Sequence, residues 1–314
     1  MTLRPYQHLM VEFILRLARC NLFVPMGAGK TLAALVSIDA LLLTGDVSRV
    51  LVLAPLRVAR STWPAEVLQW TPWLSIDFVG GPAEQRRAVL NTSRATIHTV
   101  NYELLPDLVT YWGDRWPYDM VVADESTRLK SFRLRQGGQR AQALGRVAHR
   151  HVKRWVGLTG TPASNGVMDL WGQLWFTDAG QRLGRTFSAF QQRWFQSVPG
   201  GDGYQQIKPL PHAQTQIEDA IRDVCLSLDL REWFDIREPI VNNVYVDLPP
   251  KARKLYDDME REMFAEIEGN PVEAFSAAAR TMKCLQLANG AAYLDDTGRW
   301  SETHTAKIEA AVHR

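Results

Sequence analysis

The sequence predicts an α/β fold built on a doubly wound, mainly parallel sheet, followed by a mostly helical C-terminal extension. Between about residues 20 and 160, short apolar runs alternate with longer segments of helical periodicity. The runs are apolar throughout rather than at every second position, which indicates strands buried on both faces of a sheet covered by helices. This alternation is typical of right-handed strand–helix–strand units.

The predicted elements follow in chain order. The candidate strands are 21–24, 49–54, 75–79, 95–100, 118–123 and 154–159. The segments predicted to be helices between them are 30–43, 63–70, 82–90, 101–109 and 139–150. Beyond residue 180 the pattern becomes more helical, with helices expected at 187–195, 217–228, 251–267 and 271–288. A strand-like run at 240–248 ends at two prolines, and the Gly/Pro-rich segment 197–211 is expected to be a flexible loop.

Composition limits the class of protein. A chain of 314 residues is longer than one small core needs, so a domain of ordinary size and a second element are expected. The formal net charge of +2 neither requires nor excludes a nucleic-acid partner. Cys20, Cys225 and Cys284 lack metal-binding spacing, so we expect buried thiols and no structural metal. Asp39 interrupts the most apolar helix and no signal peptide is evident, which predicts no membrane span and a cytoplasmic location.

A Gly-rich turn lies between the first candidate strand and the first long helix. Such a turn exposes successive backbone N–H groups, which stabilise phosphate oxygens together with the helix dipole. Gly27 and Gly29 permit a close approach that a Cβ would obstruct, Lys30 is placed to reach the β- and γ-phosphates, and Thr31 is placed to ligate Mg²⁺. The alternative is a turn that binds nothing. The loop residues assigned to the nucleotide are Met26, Gly27, Ala28, Gly29, Lys30 and Thr31.

Two further strand ends carry polar side chains. The run DMVVADES predicts a buried strand that ends in Asp124 and Glu125, at the sheet edge where α/β folds bind ligands. Asp124 would hold Mg²⁺ and Glu125 would orient and deprotonate the attacking water. In GLTGTP, Thr159 and Thr161 flank the turn-forming Gly160 at the same edge, where they are expected to couple the phosphates to a moving partner.

Together these segments resemble superfamily 2 helicases, and more specifically the Swi/Snf-like DNA translocases, including their phage and bacterial members. LRPYQ resembles the adenine-reading Q motif, MGAGKT resembles motif I, and DESTRLKS resembles motif II. LVLAPLRVARSTWPAEVLQW and TVNYELL are similar to motifs Ia and Ib, and LTGTPASNGVMDLWGQLWF is similar to motif III. Ser126 and Thr127 replace the usual Ala and His of motif II.

The resemblance implies ATP and Mg²⁺ as cofactors and nucleic acid as the partner, with double-stranded DNA as the expected form. It places Arg4 and Gln7 at the nucleotide base. It also implies a RecA-like P-loop NTPase lobe at 1–180, a mostly helical extension at 181–290, and a connection at 291–314 toward a second RecA-like lobe. In this family the second lobe supplies an arginine across the cleft. These 314 residues alone are therefore expected to bind ATP and hydrolyse it weakly.

The charge pattern supports a nucleic-acid partner. The segment 128–154 holds nine Lys and Arg residues and no Asp or Glu, which is typical of a surface that binds a phosphate backbone. The alternative is a solvated basic surface balanced by acidic residues elsewhere in space. The candidate nucleic-acid contacts are Arg57, Asn101, Arg128, Lys130, Arg133 and Arg135.

Three functions fit the sequence. The first is the ATP-binding part of a DNA-dependent ATPase that translocates along the duplex. The second is an ATP-gated nucleic-acid-binding module that acts without turnover. The third is a strand-separating helicase or a restriction-type motor subunit, since these use the same motifs.

Overall fold

The computed structural model describes residues 2–135, 137–199, 205–229, 231, 233, 242–267, 269–273, 276–295 and 298–312. The chain divides into two compact units, residues 1–236 and 237–314. In the first unit the helices are α1 Pro5–Arg16, α2 Lys30–Leu43, α3 Trp63–Trp70, α4 Ala83–Thr92, α5 Leu105–Trp112, α6 Gln139–Ala148, α7 Leu170–Asp178, α8 Phe187–Trp194 and α9 Ala213–Ile221. The prediction of an α/β fold is confirmed.

A seven-stranded sheet forms the centre of the first unit. Its strands are β1 Arg19–Phe23, β2 Val50–Ala54, β3 Ile76–Phe78, β4 Ile97–Asn101, β5 Met120–Asp124, β6 Arg154–Thr159 and β9 Cys225–Ser227. Their order is β3-β4-β2-β5-β6-β1-β9, and every neighbouring pair is parallel. All six predicted strands are present, with ends that differ by at most two residues. Strand β9 was not predicted.

Buried side chains cover both faces of the sheet, as the continuous apolar strands require. One face packs against α5, α6, α7 and α8, with Trp155, Trp171 and Phe176 among its largest buried side chains. The other face packs against α1, α2 and α3 and contains Met10 and Trp63. Because parallel strands present their carboxyl ends at one edge, this arrangement collects the loops after β1, β2, β4, β5 and β6 at one side of the sheet.

The region between residues 195 and 228 differs from its prediction. Within the predicted loop 197–211, residues 197–199 belong to β7 Phe195–Pro199 and residues 205–209 form β8 Gln205–Pro209, which pairs with β7 in antiparallel orientation. Residues 200–204 of the predicted loop lie outside the described residues. The helix predicted at 217–228 ends at Ile221, and Cys225–Ser227 then pairs with β1. The backbone N–H of Asn21 donates to the Val224 carbonyl at 2.8 Å, which explains why this apolar stretch joins the sheet.

The second unit contains α10 Pro250–Glu262, α11 Ala277–Asn289, α12 Ala306–Val312 and the strands β10 Phe264–Ile267, β11 Asn270–Glu273, β12 Ala291–Tyr293 and β13 Trp300–Glu302. The helix predicted at 251–267 is shorter because Met263 adopts a left-handed backbone with φ of 56°. The helix predicted at 271–288 starts at Ala277, where the Ser276 hydroxyl accepts the Ala279 N–H at 3.1 Å. The strand predicted at 240–248 is wrong for 242–248, which lie in no strand, while 240 and 241 lie outside the described residues.

Candidate functional site: a phosphate-binding loop and an acidic strand end

The Gly-rich turn adopts the conformation that its composition predicts. It connects β1 to α2, and Gly27 and Gly29 have φ of 78° and 75°. A Cβ on Gly27 would meet nothing within 4 Å, whereas a Cβ on Gly29 would lie 2.3 Å from Nε2 of Gln7. Helix α2 begins at Lys30 directly after this turn, with Gly29 as its N-cap. The first turn of α2 therefore directs its backbone N–H groups toward the loop.

Gln7 is attached to this loop. It lies on α1, and its Oε1 accepts the backbone N–H of Arg4 at 2.9 Å. Its Nε2 donates to the carbonyl of Ala28 at 3.3 Å. The side chain is 7% exposed. The structure thus brings Gln7, which is predicted to lie at the nucleotide base, beside the predicted phosphate loop, and Arg4 is connected to that loop through its backbone bond to Gln7.

Lys30 lies over the start of the loop. Its Nζ donates to the carbonyls of Val24 at 2.7 Å and Pro25 at 3.0 Å. Burial lowers the pKa of its ammonium group, and the nearby carboxylates of Asp124 and Glu125 oppose that change. Within the described residues, no carboxylate forms an ion pair with Lys30 at 4.0 Å or less, so the positive charge is held close to the acidic strand end without being paired to it.

Asp124 ends β5 at the same level of the sheet as the end of β1. Leu158 on β6 pairs with Leu22 on one side and with Asp124 on the other. Burial raises the pKa of the Asp124 carboxyl, and the neighbouring Glu125 raises it further. A hydrogen bond from Trp63 and the charge of Lys30 act in the opposite direction. The predicted metal ligand and the predicted phosphate-binding lysine are therefore close enough to influence each other electrostatically.

Glu125 follows with a left-handed backbone, φ 59°, which is uncommon for a residue with a side chain. Strain of this kind concentrates at functional sites. Its Oε2 accepts a long hydrogen bond, 3.5 Å, from the hydroxyl of Thr159. Glu125, predicted to activate water, is therefore in contact with Thr159, predicted to couple the phosphates to a moving partner.

The turn after β6 packs directly on the phosphate loop. Thr159 is fully buried, its carbonyl accepts the Val24 N–H at 3.1 Å, and its hydroxyl accepts the Thr161 N–H at 3.2 Å. A Cβ on Gly160 would lie 3.3 Å from the backbone nitrogen of Met26, so a side chain there would press on the loop. These contacts join the predicted coupling segment to the predicted nucleotide site.

Several residues that support the site were missed by sequence reasoning. The indole N–H of Trp63 donates to Oδ2 of Asp124 at 2.9 Å, and the hydroxyl of Tyr102 donates to the Asp124 carbonyl at 2.8 Å. Ser126 donates to Oε1 of Gln173 at 3.1 Å, and Gln173 donates to the Pro162 carbonyl at 2.7 Å. No local signal identifies these bonds, because each joins residues that are distant in sequence.

The candidate nucleic-acid contacts do not form one group. Arg57 is exposed in the turn after β2. Asn101 is buried at the end of β4, and its Nδ2 donates to Glu103 at 2.9 Å. Arg128 is also paired with Glu103, at 3.5 Å, and Lys130 is paired with Asp169 at 3.0 Å.

Arg133 and Arg135 differ sharply although they are two residues apart. The guanidinium of Arg133 lies 3.3 Å from the ring centroid of Phe187 and donates to the carbonyls of Lys130 and Phe132 at 3.1 and 2.6 Å. Burial lowers its pKa. Arg135 is exposed, and none of the described acidic side chains forms an ion pair with it. Arg133 is thus part of the fold, whereas Arg135 is open to a partner.

Among the described residues, no group of three or more His, Cys, Asp or Glu side chains is arranged to hold a metal ion. In the part of the chain that the structure describes, none of the helices is both long enough and apolar enough to cross a membrane.

Comparison with known proteins identifies the family. Residues 6–290 match the model of the SNF2-related domain. The chain is 51% identical over 313 residues to protein p41 of Acyrthosiphon pisum secondary endosymbiont phage 1, covering 98% of this chain and 68% of that protein. It is 28% identical to helicase SWR1 of Yarrowia lipolytica, covering 82% of this chain and 15% of that protein.

A solved structure shares the fold. The SWI2/SNF2 ATPase core of Sulfolobus solfataricus, determined in complex with double-stranded DNA, matches with a TM-score of 0.58 and 23% identity, covering 84% of this chain and 53% of that one. The chain therefore spans about half of the archaeal core and much less of the yeast helicase. Since the SNF2-related model matches most of its length, the chain belongs to the SNF2-related domain family.

Proposed function

We propose that this chain is the Mg·ATP-binding lobe of a Swi/Snf-like, DNA-dependent ATPase that translocates on double-stranded DNA. One observation carries the proposal: the Gly-rich loop with Lys30 and the acidic strand end with Asp124 lie at one level of one sheet edge. A phosphate cradle beside a carboxylate is the arrangement that nucleotide hydrolysis on a divalent metal requires.

The residues at this edge fit a magnesium triphosphate. Gly27 and Gly29 adopt the left-handed backbone of the turn, and the turn opens the 14-residue helix α2. Lys30 would bind the β- and γ-phosphates, and Thr31 and Asp124 supply the oxygen ligands that Mg²⁺ prefers. When bound, the metal neutralises phosphate charge and orients the γ-phosphate.

The chain's own side chains then have distinct tasks. Glu125 accepts the proton of the attacking water, and its contact with the Thr159 hydroxyl holds the carboxylate beside the turn after β6. That turn, with Gly160 and Thr161, packs on the phosphate loop. A change at the phosphates would therefore alter the packing of this turn. Arg4 and Gln7 would contact the base from α1.

Double-stranded DNA is the partner that the relatives suggest, because the archaeal SWI2/SNF2 core was determined on it. Arg57 follows β2 and Asn101 ends β4, both at the sheet edge that carries the loops. Arg128, Lys130 and Arg135 lie in the segment after β5, where Arg128 and Lys130 are paired with acidic side chains and Arg135 is exposed. We expect a second RecA-like lobe in the whole protein to supply the arginine that stabilises the transition state. Host cytoplasm is the location that the phage relative suggests.

Nucleotide binding and hydrolysis by the 314-residue chain test this proposal. We expect Mg²⁺-dependent binding of a fluorescent ATP analogue, with turnover well below 1 s⁻¹, since the arginine is worth about 10³–10⁵ in rate in related enzymes. Lys30→Met should weaken binding at least tenfold, whereas Lys153→Met, a change at an exposed lysine, should have no effect. Glu125→Gln should preserve binding and abolish the remaining turnover. Binding that is indifferent to Mg²⁺ and to Lys30 would exclude the proposed site.

Strand displacement separates translocation from unwinding. A translocase hydrolyses ATP on duplex DNA without releasing a strand, whereas a helicase releases one. DNA-stimulated turnover near 1 s⁻¹ or faster by this chain alone would contradict the requirement for a second lobe. Tight ATP-dependent DNA binding without any turnover, even by the whole protein, would favour the binding module.

A further inference from the structure

Two aromatic side chains from separate segments hold the residue proposed to bind the metal. Trp63, the first residue of α3, donates its indole N–H to Oδ2 of Asp124 at 2.9 Å. Tyr102, which follows β4, donates its hydroxyl to the backbone carbonyl of Asp124 at 2.8 Å. One bond fixes the side chain and the other fixes the main chain, so the orientation of the Asp124 carboxylate is determined from outside its own strand.

Both donors are rigid. Trp63 and Tyr102 are each 0% exposed. Trp63 follows a π-helical turn, Val58–Thr62, and the carbonyl of Ala59 within that turn accepts the buried hydroxyl of Thr99 at 2.8 Å. A donor held this firmly loses little further freedom when it makes its bond, and a bond to an ionised carboxylate is among the stronger hydrogen bonds in proteins.

The indole is a suitable donor to a carboxylate that is proposed to bind a cation. A donor at one carboxylate oxygen stabilises the ionised form without adding a positive charge that would compete with a cation. A tryptophan indole can do this, because it donates one hydrogen bond and accepts none.

We propose that Trp63 is a positioning residue for the metal ligand: its indole N–H, assisted by the Tyr102 hydroxyl, presents the Asp124 carboxylate to the nucleotide-bound Mg²⁺. This inference rests on the proposed function. It assigns to Trp63 a role in metal affinity rather than in nucleotide affinity as such. The two quantities can be measured separately.

The chain contains a matched control. Trp70 lies on the same helix, α3, and its indole N–H also donates to a carboxylate, Oε2 of Glu66, at 2.9 Å. Glu66 belongs to that helix and not to the strand ends that form the site. Trp63→Phe and Trp70→Phe each remove one indole–carboxylate bond and keep an aromatic ring. Only the first removes a bond to the proposed metal ligand.

The experiment measures the dissociation constant of a fluorescent ADP analogue with EDTA and across a Mg²⁺ titration. We expect Trp63→Phe to leave the metal-free constant within twofold of wild type and to raise the Mg²⁺ midpoint five- to tenfold. Tyr102→Phe should raise the midpoint by a smaller factor. Trp70→Phe should leave both quantities unchanged. Thermal unfolding of each variant shows whether a shift follows from lost stability.

Three outcomes overturn the inference. An unchanged Mg²⁺ midpoint in Trp63→Phe shows that the bond does not orient the metal ligand. Equal loss of metal-free and metal-dependent affinity shows a purely structural role. Failure of the unmodified chain to bind nucleotide with Mg²⁺ refutes the proposed function itself. This outcome is seen without any substitution, so it can be distinguished from the first two outcomes, which are seen only in Trp63→Phe.

Discussion

The close approach of Gly29 to Gln7 allows one substitution to test how α1 supports the phosphate loop. An alanine at Gly29 would place its methyl group 2.3 Å from Nε2 of Gln7 at a residue with φ of 75°. The left-handed conformation costs a residue with a Cβ about 1–2 kcal/mol. Moving Gln7 also breaks its bonds to Arg4 and Ala28, each worth about 1 kcal/mol. We therefore expect Gly29→Ala to lower the free energy of unfolding by about 3–4 kcal/mol.

Gly27→Ala provides the control. Gly27 has a similar φ, 78°, but an added Cβ meets nothing within 4 Å, so only the backbone cost of about 1–2 kcal/mol remains. In a chain that carries Gln7→Ala, the two glycine substitutions should cost the same, because the side chain that Gly29 contacts is absent. Urea unfolding followed by circular dichroism measures each value. If Gly29→Ala and Gly27→Ala lowered the free energy of unfolding equally in the unmodified chain, the close approach of Gly29 to Gln7 would be refuted.

Three further predictions concern buried and exposed charge. His98 is fully buried, and burial lowers its pKa to about 4. Because the pKa of histidine in the unfolded chain is near 6.5, the contribution of His98 to the free energy of unfolding should be complete above pH 6.5 and fall by about 1.4 kcal/mol per pH unit toward pH 4. In thermal melts, His98→Gln should flatten this decline. Arg19 donates to the carbonyls of residues 148, 152, 176 and 177. Arg19→Met should therefore lower the free energy of unfolding in urea by at least about 3 kcal/mol, and a variant as stable as the unmodified chain would contradict this. Arg133→Glu should destabilise the chain by more than about 2 kcal/mol, whereas Arg135→Glu should leave stability within about 0.5 kcal/mol of the unmodified chain. Arg135→Glu should also reduce the slope of log DNA affinity against log salt concentration by about 1. The opposite ranking of the two variants would exclude a structural role for Arg133 and a DNA contact for Arg135.

The strands of the central sheet could be predicted because their apolar runs are long and bounded by turn residues. The segment at β5 shows this well, since Met120–Asp124 is buried up to the carboxylate that ends it. The conformation of the Gly-rich turn could be predicted for a related reason: Gly27 and Gly29 are needed by the local backbone whatever the rest of the chain does.

Elements that depend on a distant partner could not be predicted. Strand β9 has three residues and forms because β1 offers it an unpaired edge. The helix that begins at Pro250 ends at Glu262, and the left-handed backbone after it falls on Met263, a residue type with no special preference for that conformation. The same limit applies to the site, because the bond from Trp63 to Asp124 joins residues that are 61 positions apart.

The basic segment 128–154 shows how three-dimensional packing changes the meaning of a charge count. Six of its nine basic side chains form ion pairs with acidic residues from other segments: Arg128 and Arg140 with Glu103, Lys130 with Asp169, Arg150 with Asp114, Lys153 with Asp119 and Arg154 with Asp46. The sequence therefore overstates the local positive field.

Ion pairing alone does not remove these side chains from a nucleic-acid surface. Exposed pairs contribute about 0–1 kcal/mol, so a DNA phosphate can replace the carboxylate at little cost. Arg150 and Asp114, exposed to 68% and 81%, are such a pair. Arg133 differs because its guanidinium is packed on Phe187 and bonded to backbone carbonyls, which a phosphate cannot replace without opening the fold. Burial, rather than pairing, thus decides which arginines of this segment are open to the proposed DNA partner.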